Sequence, residues 1–211
     1  MSSVAGETIK TMRVASQQRS RETQKRFIKA TLKLAAASPM HLVTSKNISL
    51  EAETAWGSAQ HLFGGKEALF SAAIEYASAQ MIDLTKKEFT RPDYRKSDLD
   101  NVVHFLWNAS NKSKAILCHK LASSCLHDQE FTQRNRKIIN ASLEEVKTLI
   151  NTKVGKYYPQ TDQNSLQDLL SIIETFLTGL HFRTNFTRPH IMKVKLDRMS
   201  QIWAAQLQHA E

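Results

Sequence analysis

The sequence predicts an all-α protein, with an N-terminal three-helix helix-turn-helix domain followed by a C-terminal helical bundle, about nine helices in all. Only six glycines and four prolines occur in 211 residues. Apolar residues recur three and four positions apart, which is the period of an amphipathic helix. Residues 48–69 have the pattern of a short helix, a tight turn and a second short helix, an arrangement that places an exposed helix in the major groove of DNA.

The first fifty residues predict one amphipathic helix behind a flexible tail at residues 1–17. Ser16 or Ser20 is the candidate N-cap, and the helix is expected to end near Ser38-Pro39. Five side chains share its apolar face: Phe27, Ala30, Thr31, Leu34 and Ala35. Four cations share the opposite face: Arg21, Lys25, Lys29 and Lys33.

Two more short helices and a long one are expected to follow. Thr44 is the candidate N-cap of a second helix around Ile48, and the turn and third helix come next. Gly64-Gly65 ends this group, and Lys66 begins a fourth helix that is expected to run towards Phe89.

The rest of the chain predicts a larger bundle after a break at Arg91-Pro92-Asp93-Tyr94. Its helices are expected at about 98–109, 113–126, 128–157, 165–186 and 189–209. Ser165 with Asp168 resembles a capping box, and Pro189 suits the first turn of the last helix.

Charge favours a polyanionic partner. The formal net charge is +9, and residues 1–50 hold nine basic and two acidic side chains, so +7 of the excess lies there. Nucleic acid and an anionic membrane both fit this balance, and a solvated helix face is the alternative.

Composition and motifs exclude several other classes. No stretch approaches the ~18 apolar residues of a membrane span, the N-terminus lacks the apolar core of a signal peptide, and two cysteines make no disulfide framework, so a cytoplasmic protein is expected. Cys118 and Cys125, with His119 and His127 nearby, lack the spacing of a zinc site. Nucleophile-elbow, Walker, HExxH and dinucleotide motifs are also lacking, so no metal, cofactor or catalytic residue is expected.

Residues 48–69 resemble, without a gap, the helix-turn-helix signature of the tetracycline-repressor-like (TetR) family. The matching residues are Ile48, Ala52, Gly57, Ser58, Phe63, Lys66, Glu67 and Leu69. The Leu-Ala-Ala-Ala end of the first helix and the stretch at 169–180 are also similar to that family. The resemblance implies a homodimeric repressor that a small-molecule effector releases from its DNA operator. It also implies three parts: a tail (1–17), a DNA-binding domain (18–65) and a ligand-binding and dimerisation bundle (66–211).

Three positions depart from the family pattern. Glu53 stands where the family has its turn glycine, Ala55 where it has a serine that caps the recognition helix, and Gln60 where it has a tyrosine that reaches the DNA backbone. Two alternatives therefore stay open: an interaction protein of the same fold whose DNA reading has decayed, and a small-molecule-binding bundle unrelated to DNA.

The resemblance assigns DNA contacts to two groups of residues. Phosphate contacts are expected from Thr44, Ser45, Lys46 and Lys66. Contacts from the recognition helix are expected from Trp56, Gly57, Ser58, Gln60 and His61. Trp56 packing inside the small domain is the alternative for that residue.

It also implies an effector pocket and a dimer interface, for which ordinary core packing is the alternative. Candidates for the pocket are Tyr76, His104, Phe105, Trp107, Leu117, Leu121, Phe176 and Phe182. Candidates for the interface are Leu169, Ile173, Phe176, Leu180, Met199 and Trp203.

Overall fold

The computed structural model describes the backbone of residues 2–124, 128–183 and 188–208, with side chains from residue 17 onward. These residues form nine α-helices and two short 3-10 turns, and no strand occurs among them, so the predicted all-α class is confirmed. The helices are α1 (Ser2–Ala37), α2 (Ser45–Glu51), α3 (Trp56–Phe63), α4 (Lys66–Thr90), α5 (Val102–Ser113), α6 (Leu117–Ser123), α7 (Gln129–Tyr157), α8 (Gln163–Phe182) and α9 (Pro189–Gln208).

Four helix starts differ from those predicted. α5 and α6 begin at Val102 and Leu117, each four residues after the expected position. α1 begins at Ser2, far upstream of the expected caps at Ser16 and Ser20. α8 is capped by Asp162, whose carboxylate accepts the backbone N–H groups of Asn164 and Ser165 at 3.3 and 3.0 Å. A carboxylate preceding the first turn satisfies two N–H groups that a cap at Ser165 would leave unpaired.

The chain forms two compact units. Unit 1 comprises Met1–Tyr76 with Leu117–Arg136, and unit 2 comprises Ala77–Ile116 with Lys137–Glu211. This grouping differs from the predicted boundary between residues 65 and 66. Unit 1 continues beyond that boundary into α4, and it also includes α6 and the start of α7.

The core of unit 1 centres on Phe27, which has no exposed surface. Its ring lies 6.4 Å from the ring of Trp56 and 6.4 Å from that of Phe63, both in edge-to-face geometry. Such pairs add about 0.5–1.5 kcal/mol to their area burial. Because Trp56 and Phe63 are the two ends of α3, one side chain of α1 holds the whole length of that helix.

A lysine from α6 closes the C-terminal end of α1. The Lys120 ammonium donates to the backbone carbonyls of Ala35 and Ser38 at 2.5 and 2.8 Å. The last carbonyls of a helix have no partner within it, and a cation there also complements the helix dipole. This contact attaches α6 to the helix-turn-helix elements of unit 1.

Unit 2 packs α8 and α9 with α5 and the C-terminal half of α7 around one apolar core. Trp203 of α9 is fully buried, and its indole N–H donates to the Leu99 carbonyl at 2.6 Å. Between α7 and α8, the Lys147 ammonium lies 3.2 Å from carboxylate oxygens of Glu144 and Glu174. Within the described part of the chain, no helix combines the length and apolarity that crossing a membrane requires.

Candidate nucleic-acid interface

α2 starts at a capped N-terminus beside a lysine. The Thr44 hydroxyl accepts the Asn47 backbone N–H at 3.2 Å, and the Asn47 side-chain amide donates to the Leu42 carbonyl at 2.7 Å. Thr44 and Lys46 are exposed and Ser45 is half-buried. Two hydroxyls and one ammonium group therefore occupy consecutive residues at the start of the helix.

The turn between α2 and α3 places Glu53 in a left-handed conformation, with φ of 51°. Its backbone N–H donates to the Leu50 carbonyl at 3.2 Å, and that of Thr54 donates to the Ser49 carbonyl at 3.1 Å. This conformation costs a residue with a Cβ about 1–2 kcal/mol. The turn thus keeps the geometry for which the family uses glycine, and Glu53 adopts it at that cost.

α3 begins without a side-chain cap among the described residues. Its N-cap residue is Ala55, and the neighbouring Thr54 hydroxyl donates to the Ala52 carbonyl at 3.0 Å. Thr54 therefore does not replace the missing serine, whose loss costs about 0.5–2 kcal/mol.

One side of α3 faces the core of unit 1. Trp56 is half-buried against Phe27, and Ala59 is fully buried. These contacts favour the alternative in which the Trp56 indole packs inside unit 1. Part of the indole surface is still exposed.

The other side of α3 is polar and open. Gly57 and His61 are exposed, Ser58 is half-exposed, and the position of a Cβ on Gly57 would meet no atom within 4 Å. The Gln60 side-chain amide donates to the Gly64 carbonyl at 2.6 Å. This bond engages one of the two amide N–H groups, so a Gln60–adenine pair has only the other N–H and the amide oxygen to use.

Lys66, the first residue of α4, is half-buried, and its ammonium lies 5.5 Å from the centre of the Phe70 ring. A cation at a helix N-terminus is opposed by the helix dipole. Its contact with the Phe70 ring offsets that cost within α4.

The predicted pocket residues are divided between the two units. Tyr76, Leu117 and Leu121 lie in unit 1, and the other five lie in unit 2: His104, Phe105, Trp107, Phe176 and Phe182. Leu121 is fully buried and Phe182 is 58% exposed. Core packing thus accounts for Leu121, and Phe182 is a surface residue.

Three of the remaining candidates already have partners. His104 Nε2 lies 3.1 Å from the Asp197 carboxylate, and the Phe105 ring lies 5.7 Å from that of Phe89. The Trp107 ring lies 4.0 Å from the imidazole of His181. These contacts make them parts of the packing of unit 2.

His181 forms a partly buried polar cluster with Trp107. Its Nδ1 lies 2.9 Å from the Leu177 carbonyl, and its Nε2 lies 3.1 Å from the Asn111 side-chain oxygen. Burial lowers the pKa of His181, and the hydrogen bond with the Leu177 carbonyl opposes that shift only in part.

An open groove of about 640 Å³ runs along α8 and α9. Its lining is mainly apolar, with two cations: Ser171, Ile172, Thr175, Phe176, Gly179, Leu180, Arg183, Lys195 and Met199. Large apolar side chains are exposed on the same two helices: Ile172, Phe182, Ile191, Val194 and Ile202. An unpaired apolar surface of this kind is typical of a contact with another macromolecule.

Half of the predicted dimer contacts are buried within unit 2 itself. Ile173 and Trp203 have no exposed surface and Leu180 retains 4%, because all three belong to the core of unit 2. Leu169, Phe176 and Met199 are only partly buried against that core. The apolar stripes of α8 and α9 thus have an inner face in the core of unit 2 and an outer face, of which the sequence pattern located Phe176 and Met199 but not Ile172.

Ile172 was missed because it falls beside the strongest apolar stripe, next to the buried Ile173. Ile172 and Phe176 are four positions apart and lie on one side of α8, followed by Gly179 in the groove lining. Position along the helix, relative to the buried Ile173 and Leu177, is the signal that separates the two faces.

Among the described residues, no group of three or more His, Cys, Asp or Glu side chains is arranged to hold a metal ion. Cys118 is buried, and its thiol lies 3.7 Å from the Ile74 carbonyl. Cys125 and His127, also named for a metal site, lie outside the described residues.

Comparison with known proteins supports the architecture and little beyond it. Neither protein-family models nor curated proteins include a match to this chain. One solved structure that matches is that of the multidrug binding protein EbrR complexed with imidazole. It is 15% identical, with a TM-score of 0.55, and the match covers 83% of this chain and 93% of that one. The chain therefore has a TetR-like fold.

Proposed function

We propose that this chain is a DNA-binding transcriptional regulator, a homodimeric repressor of TetR type that acts in the cytoplasm and is released from its operator by a small-molecule effector. The observation that carries the proposal is the unit formed by α2, its tight turn and α3. One side of α3 is fixed on Phe27, and the opposite side presents Gly57, Ser58 and His61 to solvent. No catalytic role is proposed.

In this proposal the DNA contacts divide by chemistry. Thr44, Ser45, Lys46 and Lys66 bind phosphates and fix the register, while Ser58 and His61 reach base edges. Gly57 lets the α3 backbone approach the groove, and its open surroundings support that role. Trp56 contacts DNA with the part of its indole that does not pack on Phe27, and Gln60 with the amide atoms that do not bond to Gly64.

We place the dimer interface on the outer face of α8 and α9. Exposed Ile172, Val194 and Ile202 supply apolar surface, and Phe176 with Met199 lines the groove between the helices. A symmetric pair of these helices gives one recognition helix per half-site, about 34–36 Å apart on B-DNA.

The effector remains a small organic molecule of unassigned chemistry. The neighbour of similar fold is a multidrug binding protein complexed with imidazole, and we propose ligand binding of that general kind for this chain. Occupancy would act by favouring one of two spacings of the recognition helices.

A second candidate is an interaction protein of the same fold that has lost specific DNA reading. Three observations favour it: the left-handed Glu53, the uncapped start of α3 and the Gln60 amide bonded to Gly64.

Selection from a random duplex pool at about 150 mM salt separates the two, since phosphate contacts alone weaken steeply with salt. An enriched palindrome supports the repressor. A folded dimer that enriches no sequence supports the interaction protein.

A further inference from the structure

α1 carries a basic surface that the helix-turn-helix proposal does not use. We call it the α1 basic face, and it consists of Arg19, Arg21, Lys25, Arg26, Lys29 and Lys33. All six are exposed, whereas Phe27, Ala30 and Thr31 point into the core. The same exposed side bears one carboxylate, that of Glu22. Six positive charges against one negative charge make it a strong local source of positive potential.

Most of this charge is not neutralised within the part of unit 1 that the structure describes. Lys33 pairs with Glu51 at 2.5 Å, and this pair is itself solvent-exposed. For Arg21, Lys25 and Lys29, no carboxylate lies within 4 Å among the described side chains. A folded chain gains little from such a row of like charges four residues apart, which repel each other along a helix.

The α1 basic face borders the helix-turn-helix elements at its C-terminal end, where Lys33 pairs with Glu51 of α2. Phe27 contacts Trp56, the first residue of α3, at 6.4 Å between ring centres. Lys25 and Arg26 directly precede Phe27, and Arg21 lies six residues before it, or about 9 Å along the helix axis. The surface therefore extends N-terminally from the level at which α3 begins.

The chemistry of this surface suits phosphate better than lipid. Helices that lie in a membrane surface insert large apolar side chains beneath their cations. On α1, over residues 17–37, no large apolar side chain is exposed, because the apolar side is occupied by the core of unit 1. A row of solvated guanidinium and ammonium groups is complementary to the backbone of a nucleic acid.

We propose that the α1 basic face is a second phosphate-binding surface, which binds the DNA backbone flanking the bases read by α3. This inference rests on the proposed function, since it places the DNA by α3. It predicts that α1 supplies affinity without sequence preference, because phosphate contacts carry no base information.

The test is a triple variant, Arg21→Gln/Lys25→Gln/Lys29→Gln, with Lys86→Gln/Lys87→Gln/Lys112→Gln as control. The control removes the same charge from exposed positions of unit 2, and glutamine matches Lys and Arg in helix propensity. Binding of the selected duplex and of a scrambled duplex is measured by fluorescence anisotropy over a salt series, after circular dichroism confirms an unchanged fold.

The α1 triple is expected to lower the slope of log affinity against log salt by about three per protomer, since each lost phosphate contact removes about one. Affinity for both duplexes should fall by at least about tenfold at low salt, with their ratio unchanged, while the control stays close to the wild type. An unchanged slope, an equal loss in the control, or a changed preference between the duplexes would overturn the inference.

The outcomes also separate this inference from the proposed function. If the wild type binds its operator specifically and the triple variant binds it equally well, the repressor proposal stands and the α1 inference fails. If the wild type binds DNA without sequence preference and the triple variant loses that binding, the α1 inference stands and the repressor proposal fails. Binding to vesicles of phosphatidylserine and phosphatidylcholine is measured as well. If the α1 triple variant loses vesicle binding but keeps DNA binding, and the control variant keeps both, the surface binds lipid and the inference is overturned.

Discussion

Replacing Glu53 by glycine is expected to stabilise the protein and to tighten DNA binding at the same time. Glu53 has φ of 51°, a conformation that costs a residue with a Cβ about 1–2 kcal/mol. Glycine removes that cost but loses about 0.4–1 kcal/mol through its freer unfolded chain. The net gain is about 0.5–1 kcal/mol, which corresponds to a rise of about 1–4 °C in Tm for a chain of this size.

The effect on DNA comes from charge instead of backbone strain. Glu53 is exposed in the turn that precedes α3, where a carboxylate repels nearby phosphates. Removing about 0.5–1 kcal/mol of repulsion across water tightens binding by about two- to fivefold per protomer. Thermal melting and anisotropy titration of the selected operator measure the two effects separately.

Two matched variants separate strain from charge. Glu53→Ala keeps the Cβ and removes the carboxylate, so it should tighten binding without raising Tm. Lys114→Gly relieves a similar left-handed residue, φ 63°, at the end of α5, so it should raise Tm without tightening binding. If Glu53→Gly lowered Tm, or if Glu53→Ala raised it equally, the strain argument would be refuted.

Four further changes test the site and the fold. Ala55→Ser should supply the missing N-cap of α3 and raise the free energy of unfolding by about 0.5–2 kcal/mol in a denaturant titration; no gain would mean that the first N–H groups of α3 are satisfied in another way. Lys66→Ala should weaken binding to all duplexes about equally and reduce the salt slope by about one, and a changed sequence preference would show that its assigned role is wrong. Ile202→Asp, at a half-exposed position of α9, should convert the dimer to monomer in analytical ultracentrifugation without loss of helicity, whereas a dimer that persists would exclude this face. Because burial lowers the pKa of His181 below its ordinary 6.5, stability should be fully present above about pH 6.5 and decline as pH falls through the lowered pKa. His181→Gln should flatten that decline, and an unchanged pH profile would contradict it.

The fold was predictable because its signals are local. Scarce glycine and proline, the 3.6-residue period and the Gly64-Gly65 break locate most of the helices correctly. The start of α1 was missed because residues 2–16 are mostly polar or small and show no regular apolar stripe that would indicate a helix. The cap of α8 was missed because Asp162 and Ser165 both suit the position, and only the backbone geometry distinguishes them.

The candidate site was less predictable because its residues have several possible partners. Sequence alone gives no means of knowing that Gln60 bonds to Gly64 or that Trp56 packs on Phe27. The inner and outer faces of α8 carry the same kinds of side chain, so composition does not separate Ile172 from Ile173. The DNA, effector and dimer assignments of all these residues remain predictions.

The contact between Lys120 and the end of α1 limits how far the helix-turn-helix elements form an independent module. A fragment of residues 18–65 would leave the carbonyls of Ala35 and Ser38 without their ammonium partner. It would also lack Leu121, which is buried in the same unit although it is separated by more than fifty residues of sequence. Grafting these elements onto another protein should therefore succeed only when the segment around α6 is transferred with them. The structural unit that contains the helix-turn-helix elements is discontinuous in sequence.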